Sequence, residues 1–184
     1  MIRRLNLGSW ASLAALLLAP LPAAAQQVIV SPGPDEEVFC VSNGMMESAP
    51  HGGLDDAGAS ALISRCRQRF GWSDMETRAA ILVGQVTVRM QLALADATNA
   101  GVQRSVISDV IGTFDSQTIG AMQINNLDPD NGYPDLARQA TARLAERGVT
   151  GEAASRATRA VIWALIAIRI TANVRAALRD GHGH

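Results

Sequence analysis

The sequence predicts an all-α protein of five or six helices packed around a buried C-terminal helix, and three observations carry that prediction. From about Glu152 to Arg179 there is no Pro or Gly, and Ala160–Ile168 within that run carries no charged side chain. Ser73-Asp74-Met75-Glu76 has the spacing of a capping box, and apolar residues at helical period follow it. Leu54–Phe70 places Ala57, Ala61, Leu62, Cys66 and Phe70 near one helical face, with Arg65, Arg67 and Arg69 mostly off it.

The first 25 residues read as a secretory signal. Arg3 and Arg4 give a basic start, Trp10–Leu18 is mostly apolar, and Ala23-Ala24-Ala25 offers a small-residue cleavage site. The expected mature chain then begins at Gln26 and carries no membrane-spanning segment. Its 14 basic residues (16 less Arg3 and Arg4) face 17 acidic ones, a net charge of −3. A mildly acidic chain without a basic cluster argues against nucleic acid as a partner. The expected address is periplasmic or secreted.

Residues 26–53 read as an extended lead-in followed by a hairpin or loop. Asn43-Gly44 between Val38–Val41 and Met45-Met46 is a hairpin-turn signal. Two short strands alone are marginal, so the hairpin needs a pin. Cys40 and Cys66 supply one: in an exported protein an isolated cysteine pair reads first as a disulfide.

The helical domain is expected over residues 54–180. Its first helix runs Leu54–Phe70 and stops at Gly71. The capping box opens a long helix to about Asn99, with Met75, Ala79, Leu82, Val86, Met90, Ala93 and Leu94 as the apolar stripe. Ile81, Val88, Leu92 and Ala95 widen that stripe. A shorter helix spans Val102–Ile111 and ends at Gly112-Thr113. Asp115–Asn126 is too short to settle by period. Leu127–Pro134 is turn chemistry, and Pro134 opens a helix ending near Arg147-Gly148. The final helix is apolar all round at its centre, so it must be enclosed on every side. Nine such residues fall short of the roughly 20 that a bilayer needs. Residues 181–184 read as a disordered tail.

Candidate sites are few. Arg78, Gln85, Arg89 and Asp96 lie at offsets of 7, 11 and 18 residues, which puts the last three within about 20° of the Arg78 direction on the long helix. That line is either the solvent edge of a mostly buried helix or the wall of a binding groove. Asp128, Asp130 and Asp135, with Asn131, form an oxygen-rich loop that could present several ligands to calcium, although plain turn formation explains it as well. No phosphate-cradling Gly loop and no Gly-x-Ser-x-Gly elbow is present, and His51 is the one histidine outside the tail. No cofactor is expected.

Ile119-Gly120-Ala121-Met122-Gln123-Ile124-Asn125-Asn126 resembles the Gly-x-Met-Gln-Ile-Asn segment of lysozyme-like lytic transglycosylases. The resemblance implies a helical, secreted, peptidoglycan-cleaving domain with Gln123 and Asn125 along the sugar groove. That chemistry needs a carboxylic acid with a raised pKa to protonate the glycosidic oxygen. The family carries it as a Glu followed by Ser-Gly, whereas here no Glu lies between Glu76 and Glu146. Glu76 is accounted for by the capping box, and Asp96 or Asp109 could substitute for the acid only with a different reach. The sequence therefore leads to a non-catalytic, exported binding or scaffolding protein whose partner is an envelope protein or a glycan. The glycan-cleaving enzyme, or an inactive relative of it, is the second reading, and a subunit that pairs with itself is the third.

Overall fold

The computed structural model describes residues 36–49, 53–124 and 127–181. The expected signal segment, the lead-in to Asp35, His51, Asn125, Asn126 and residues 182–184 lie outside the described residues. Among the described residues there are seven helices and no strand. They are α1 (Glu36–Ser48), α2 (Asp56–Phe70), α3 (Asp74–Asn99), α4 (Arg104–Ile111), α5 (Ser116–Gly120), α6 (Pro134–Ala145) and α7 (Gly151–Gly181).

Two of these helices account for the difference from the expected five or six. One is α5, a single turn inside the stretch whose period was too short to read. The other is α1, which replaces the expected hairpin. Val38, Val41 and Ser42 recur at helical spacing and are buried, and α1 packs on α3 as well as on α2. Asn43-Gly44 is therefore not a turn. Gly44 is the point of closest approach to α2: a Cβ there would lie 2.4 Å from Leu62 Cδ1 and 2.8 Å from Leu62 Cδ2. A small residue was needed for contact, and its turn propensity was overridden by the packing it allows. Alanine in place of glycine ordinarily helps a helix by about 1 kcal/mol. Gly44→Ala is expected instead to destabilise the protein by about 1–2 kcal/mol, because the buried Leu62 side chain must leave its position. Urea unfolding checks this, and the penalty should disappear in a Leu62→Ala background.

Cys40 and Cys66 form the expected disulfide, joining α1 to α2 with a Cα–Cα distance of 5.9 Å. Helix α2 starts at Asp55, whose side chain accepts the Gly58 N–H, and ends at Gly71 in the left-handed conformation (φ 69°). Its inward face is Ala59, Leu62 and Cys66. Ala57 and Ala61, expected inward, are exposed. The buried face narrows to the side where α1 packs on α2.

The capping box is present: the Ser73 side chain accepts the Glu76 N–H, and Glu76 accepts the Ser73 N–H. From it α3 runs for 26 residues. Met75, placed in the stripe from sequence, is instead 75% exposed, while Thr77 in the same turn is buried, so the inward face of α3 starts there and not at Met75. Helices α3 and α7 form the central antiparallel pair. Asp96 meets Arg156, and seven residues earlier Arg89 meets Trp163, seven residues further along α7.

The middle of α7 is enclosed, as the charge-free run requires. Ile162 and Ile166 have 0% exposure and Trp163 has 7%. Helices α3 and α6 cover most of α7, and α1, α4 and α5 close the remaining sides. By length and composition Gly151–Leu178 is apolar enough to cross a membrane. In this fold its central side chains meet protein where a membrane helix would meet lipid.

Candidate functional site

The polar line of α3 does not act as one unit. Asp96 Oδ1 lies 2.8 Å from an Arg156 guanidinium nitrogen, and Arg156 also holds Glu152 one turn earlier on α7. The hydrogen bond to Glu152, then the charge of Asp96, push the Arg156 pKa further above its already high value. The Arg89 guanidinium lies 5.3 Å from the centroid of the Trp163 ring. Asp96 and Arg89 therefore fasten α3 to α7, while Arg78 is exposed and Gln85 half-buried. The Asp96 and Arg156 side chains keep 45% and 39% of their exposure. A pair this open to water contributes little, so Asp96→Asn is expected to cost under about 1 kcal/mol. Thermal unfolding at low and high salt checks it, with the difference shrinking as salt rises.

Among the other acid candidates, Glu76 is committed to the helix start. Its carboxylate accepts the Ser73 N–H at 2.7 Å. Gln123 is exposed, and its backbone carbonyl accepts the Tyr133 hydroxyl at 2.7 Å. Burial raises the Tyr133 pKa, so the phenol keeps its proton and its role as donor. The Ile119–Ile124 segment is thus anchored through Met122, which is buried, and through Tyr133. Its helix packs on α7. Glu76, Asp96 and Gln123 each belong to a separate local structure: a helix cap, an inter-helix ion pair and a pinned turn.

The acidic loop is likewise built from turn bonds. Asp128 Oδ1 accepts the N–H groups of Asp130 (2.9 Å) and Asn131 (3.2 Å), and its other oxygen accepts from the Asn131 side chain (3.0 Å). These bonds, the Asn131 side chain first, hold the Asp128 carboxyl below the usual carboxylate range. The two Asp130 carboxylate oxygens accept from Arg159 Nε (2.9 Å) and Nη2 (3.0 Å), a bidentate pair that docks the loop on α7. Asp135 pairs with Arg138 on its own helix. Among the described residues no group of three or more His, Cys, Asp or Glu side chains is placed to hold a metal ion.

The same depression marks Asp115, the N-cap of α5, where the Thr118 N–H is the main cause. A carboxyl whose pKa is lowered by folding stabilises the fold above its unfolded pKa and loses that contribution as pH falls through the folded one. Asp115 and Asp128 should therefore release α5 and the 128–131 turn together as the pH drops below about 4, the ordinary Asp range. Loss of amide protection in these two segments ahead of α3 and α7 would show it.

Among the described residues, two surface grooves are large enough for a small ligand. One, of about 430 Å³, lies between α6 and α7 and is lined largely by small residues, among them Ala137, Thr141, Ala154 and Thr158. The Thr141 and Thr158 hydroxyls meet across it at 2.9 Å. The other, of about 650 Å³, lies between α1 and α2. Sequence reasoning missed the second groove because it read α1 as a hairpin. Glu36, Asn43 and Glu47, at offsets of 7 and 11 residues, share one face only if the segment is helical.

Compared with known proteins, the chain matches no family model, no curated protein and no solved structure.

Proposed function

We propose that the protein is an exported, non-catalytic helical protein with a binding or scaffolding role in the cell envelope. The observation that carries this reading is the fate of the candidate acids: Glu76 closes a helix cap, Asp96 pairs with Arg156, and Asp109 stands exposed on α4. A general acid for glycan cleavage has to be protonated in the resting site and free to reach the substrate. A carboxylate whose oxygen is engaged by a backbone N–H, as Glu76 is, or by a guanidinium, as Asp96 is, is not free to reach a glycosidic oxygen. The Cys40–Cys66 disulfide suggests an oxidising, non-cytoplasmic compartment. The signal-like first 25 residues agree with export, and the partner on this reading is an envelope protein or glycan.

The test is incubation of the protein with purified peptidoglycan, followed by two measurements. Soluble glycan fragments report cleavage, and co-sedimentation with the insoluble material reports binding. The expected result is no release of fragments. Release abolished by Glu76→Gln or Asp96→Asn would replace this reading with the lytic transglycosylase. Fractionation of the producing cells gives the location, and the N-terminus of the processed chain is expected at Gln26.

A further inference from the structure

Both cysteines of the disulfide line the groove between α1 and α2, but they are not equally open. Cys66 keeps 1% of its surface and lies on the inward face of α2 with Ala59 and Leu62. Cys40 is half-buried. Next to it on α1 the groove is walled by Gly44, which has no side chain, and by Asn43, which is exposed. The groove volume of about 650 Å³ is in the range of small-ligand sites, so a small thiol can enter.

A disulfide is opened by a thiolate that attacks one of its two sulfurs, and access helps decide which one. The sulfur that is not attacked must then be able to depart. Helix α2 is suited to that part. Its buried residues are only Ala59, Leu62 and Cys66. It makes few contacts with helices other than α1. Beyond its end, the buried Trp72 donates its indole N–H to Glu37 at 2.9 Å, which ties the chain to α1 after Gly71 and leaves the start of α2 without that tie. Cys66 is thus shielded while the bond is intact, yet it sits on the element best able to move once the bond is broken.

We propose that Cys40 is a site of thiol–disulfide exchange in the folded protein, reached through this groove by an external thiol, with Cys66 as the sulfur released. The thiolate attacks Cys40 Sγ and forms a new S–S bond there. The Cys40–Cys66 bond breaks, its electron pair stays on Cys66 Sγ, and that sulfur takes a proton from water. A second external thiolate then attacks the first thiol's sulfur and frees Cys40. Two external thiols are oxidised to one disulfide, and the protein gains two electrons and two protons. Run in reverse, the same steps make the mixed disulfide at Cys40 the last intermediate when the bond is formed. The proposal stands on the disulfide and its surroundings, and does not depend on the binding role.

The probe is glutathione, added to the oxidised full-length protein without denaturant, quenched with acid at early times and mapped by mass spectrometry. Glutathione is expected on Cys40 in excess over Cys66 by about tenfold or more, because access sets the site of attack. In urea, where both sulfurs are open, that preference should shrink. A preference that persists in urea would mean that neighbouring residues in the chain, and not the groove, select the sulfur. Ile166→Ala separates attack on the folded protein from attack on the unfolded chain, since Ile166 is buried in α7, away from the groove. If exchange goes through the groove, its rate should stay within about twofold of the parent. If it needs global unfolding, the rate should rise about thirtyfold or more, in step with the lost stability. Equal labelling of the two cysteines, labelling mainly at Cys66, no mixed disulfide on the folded protein, or the thirtyfold rise would each overturn the proposal. Release of glycan fragments or failure to co-sediment would bear on the binding role and leave this result untouched.

Discussion

Ile166→Ala is expected to lower the unfolding free energy by about 2–5 kcal/mol, the range for truncating a large aliphatic side chain in a core. Ile166 has no exposed surface and sits at the centre of α7, where neighbouring helices close every side. The lost side chain leaves a void that the surrounding helices cannot fill without moving as units. A stability of about 5–15 kcal/mol is usual for a domain, so this one change removes a large share of it. In urea the midpoint should fall while the slope stays the same, since the surface exposed on unfolding barely changes. Met75→Ala is the control. Met75 is 75% exposed, and its truncation should shift the midpoint very little. A loss at Ile166 no larger than at Met75 would mean that α7 is not enclosed in solution.

Breaking the Cys40–Cys66 bond is expected to cost about 3.5 kcal/mol in the chain-entropy model, given a sequence separation of 26 residues. Most of that loss arises in the unfolded chain, which gains conformations once the loop is open. The local consequence falls on α1 and α2. Helix α1 keeps its contact with α3 through Val41 and Met45 beside Gly84, whereas α2 makes few contacts apart from those with α1. Hydrogen exchange on the Cys40→Ser, Cys66→Ser variant should therefore show the greatest loss of protection in α2, a smaller loss in α1, and little change across α3 and α7. The same variant should lose the groove, since the two walls are no longer held at a fixed distance. Unchanged protection in α2 would mean that packing alone holds it.

Much of this fold was legible in the sequence because its signals are local. The capping box at Ser73 satisfies amides within one turn, and the structure shows both of its bonds. The Gly71 stop needs only a left-handed residue, and Gly71 adopts it. The start of α6 at Pro134 and the long final helix follow in the same way from residues within a turn of each boundary. The errors came where a distant partner decided. Asn43-Gly44 has strong turn chemistry, yet Leu62 and α3 reward a helix there with buried contacts. Ala57 and Ala61 looked inward by period, but the buried face narrows to Ala59, Leu62 and Cys66, where α1 packs on α2.

The candidate site divides along the same line. Arg78, Gln85, Arg89 and Asp96 were placed on one helical line by spacing alone. Spacing could not supply Trp163 or Arg156, which turn half of that line into fasteners between α3 and α7. The groove between α1 and α2 was invisible for the same reason, since it exists only once α1 is a helix crossing α2.

The sequence by itself determined the all-α class, the enclosed final helix and the cysteine pair. Each follows from a pattern carried by the residues themselves: a ring of apolar side chains wider than any single contact face, or an isolated cysteine pair, which reads first as a disulfide. Only the tertiary structure decided which face each helix buries and which charges are tied together. Those choices are set by contacts between segments far apart in the chain, where a few ångströms of clearance at Gly44, or one guanidinium across from Asp96, outweigh the local preference.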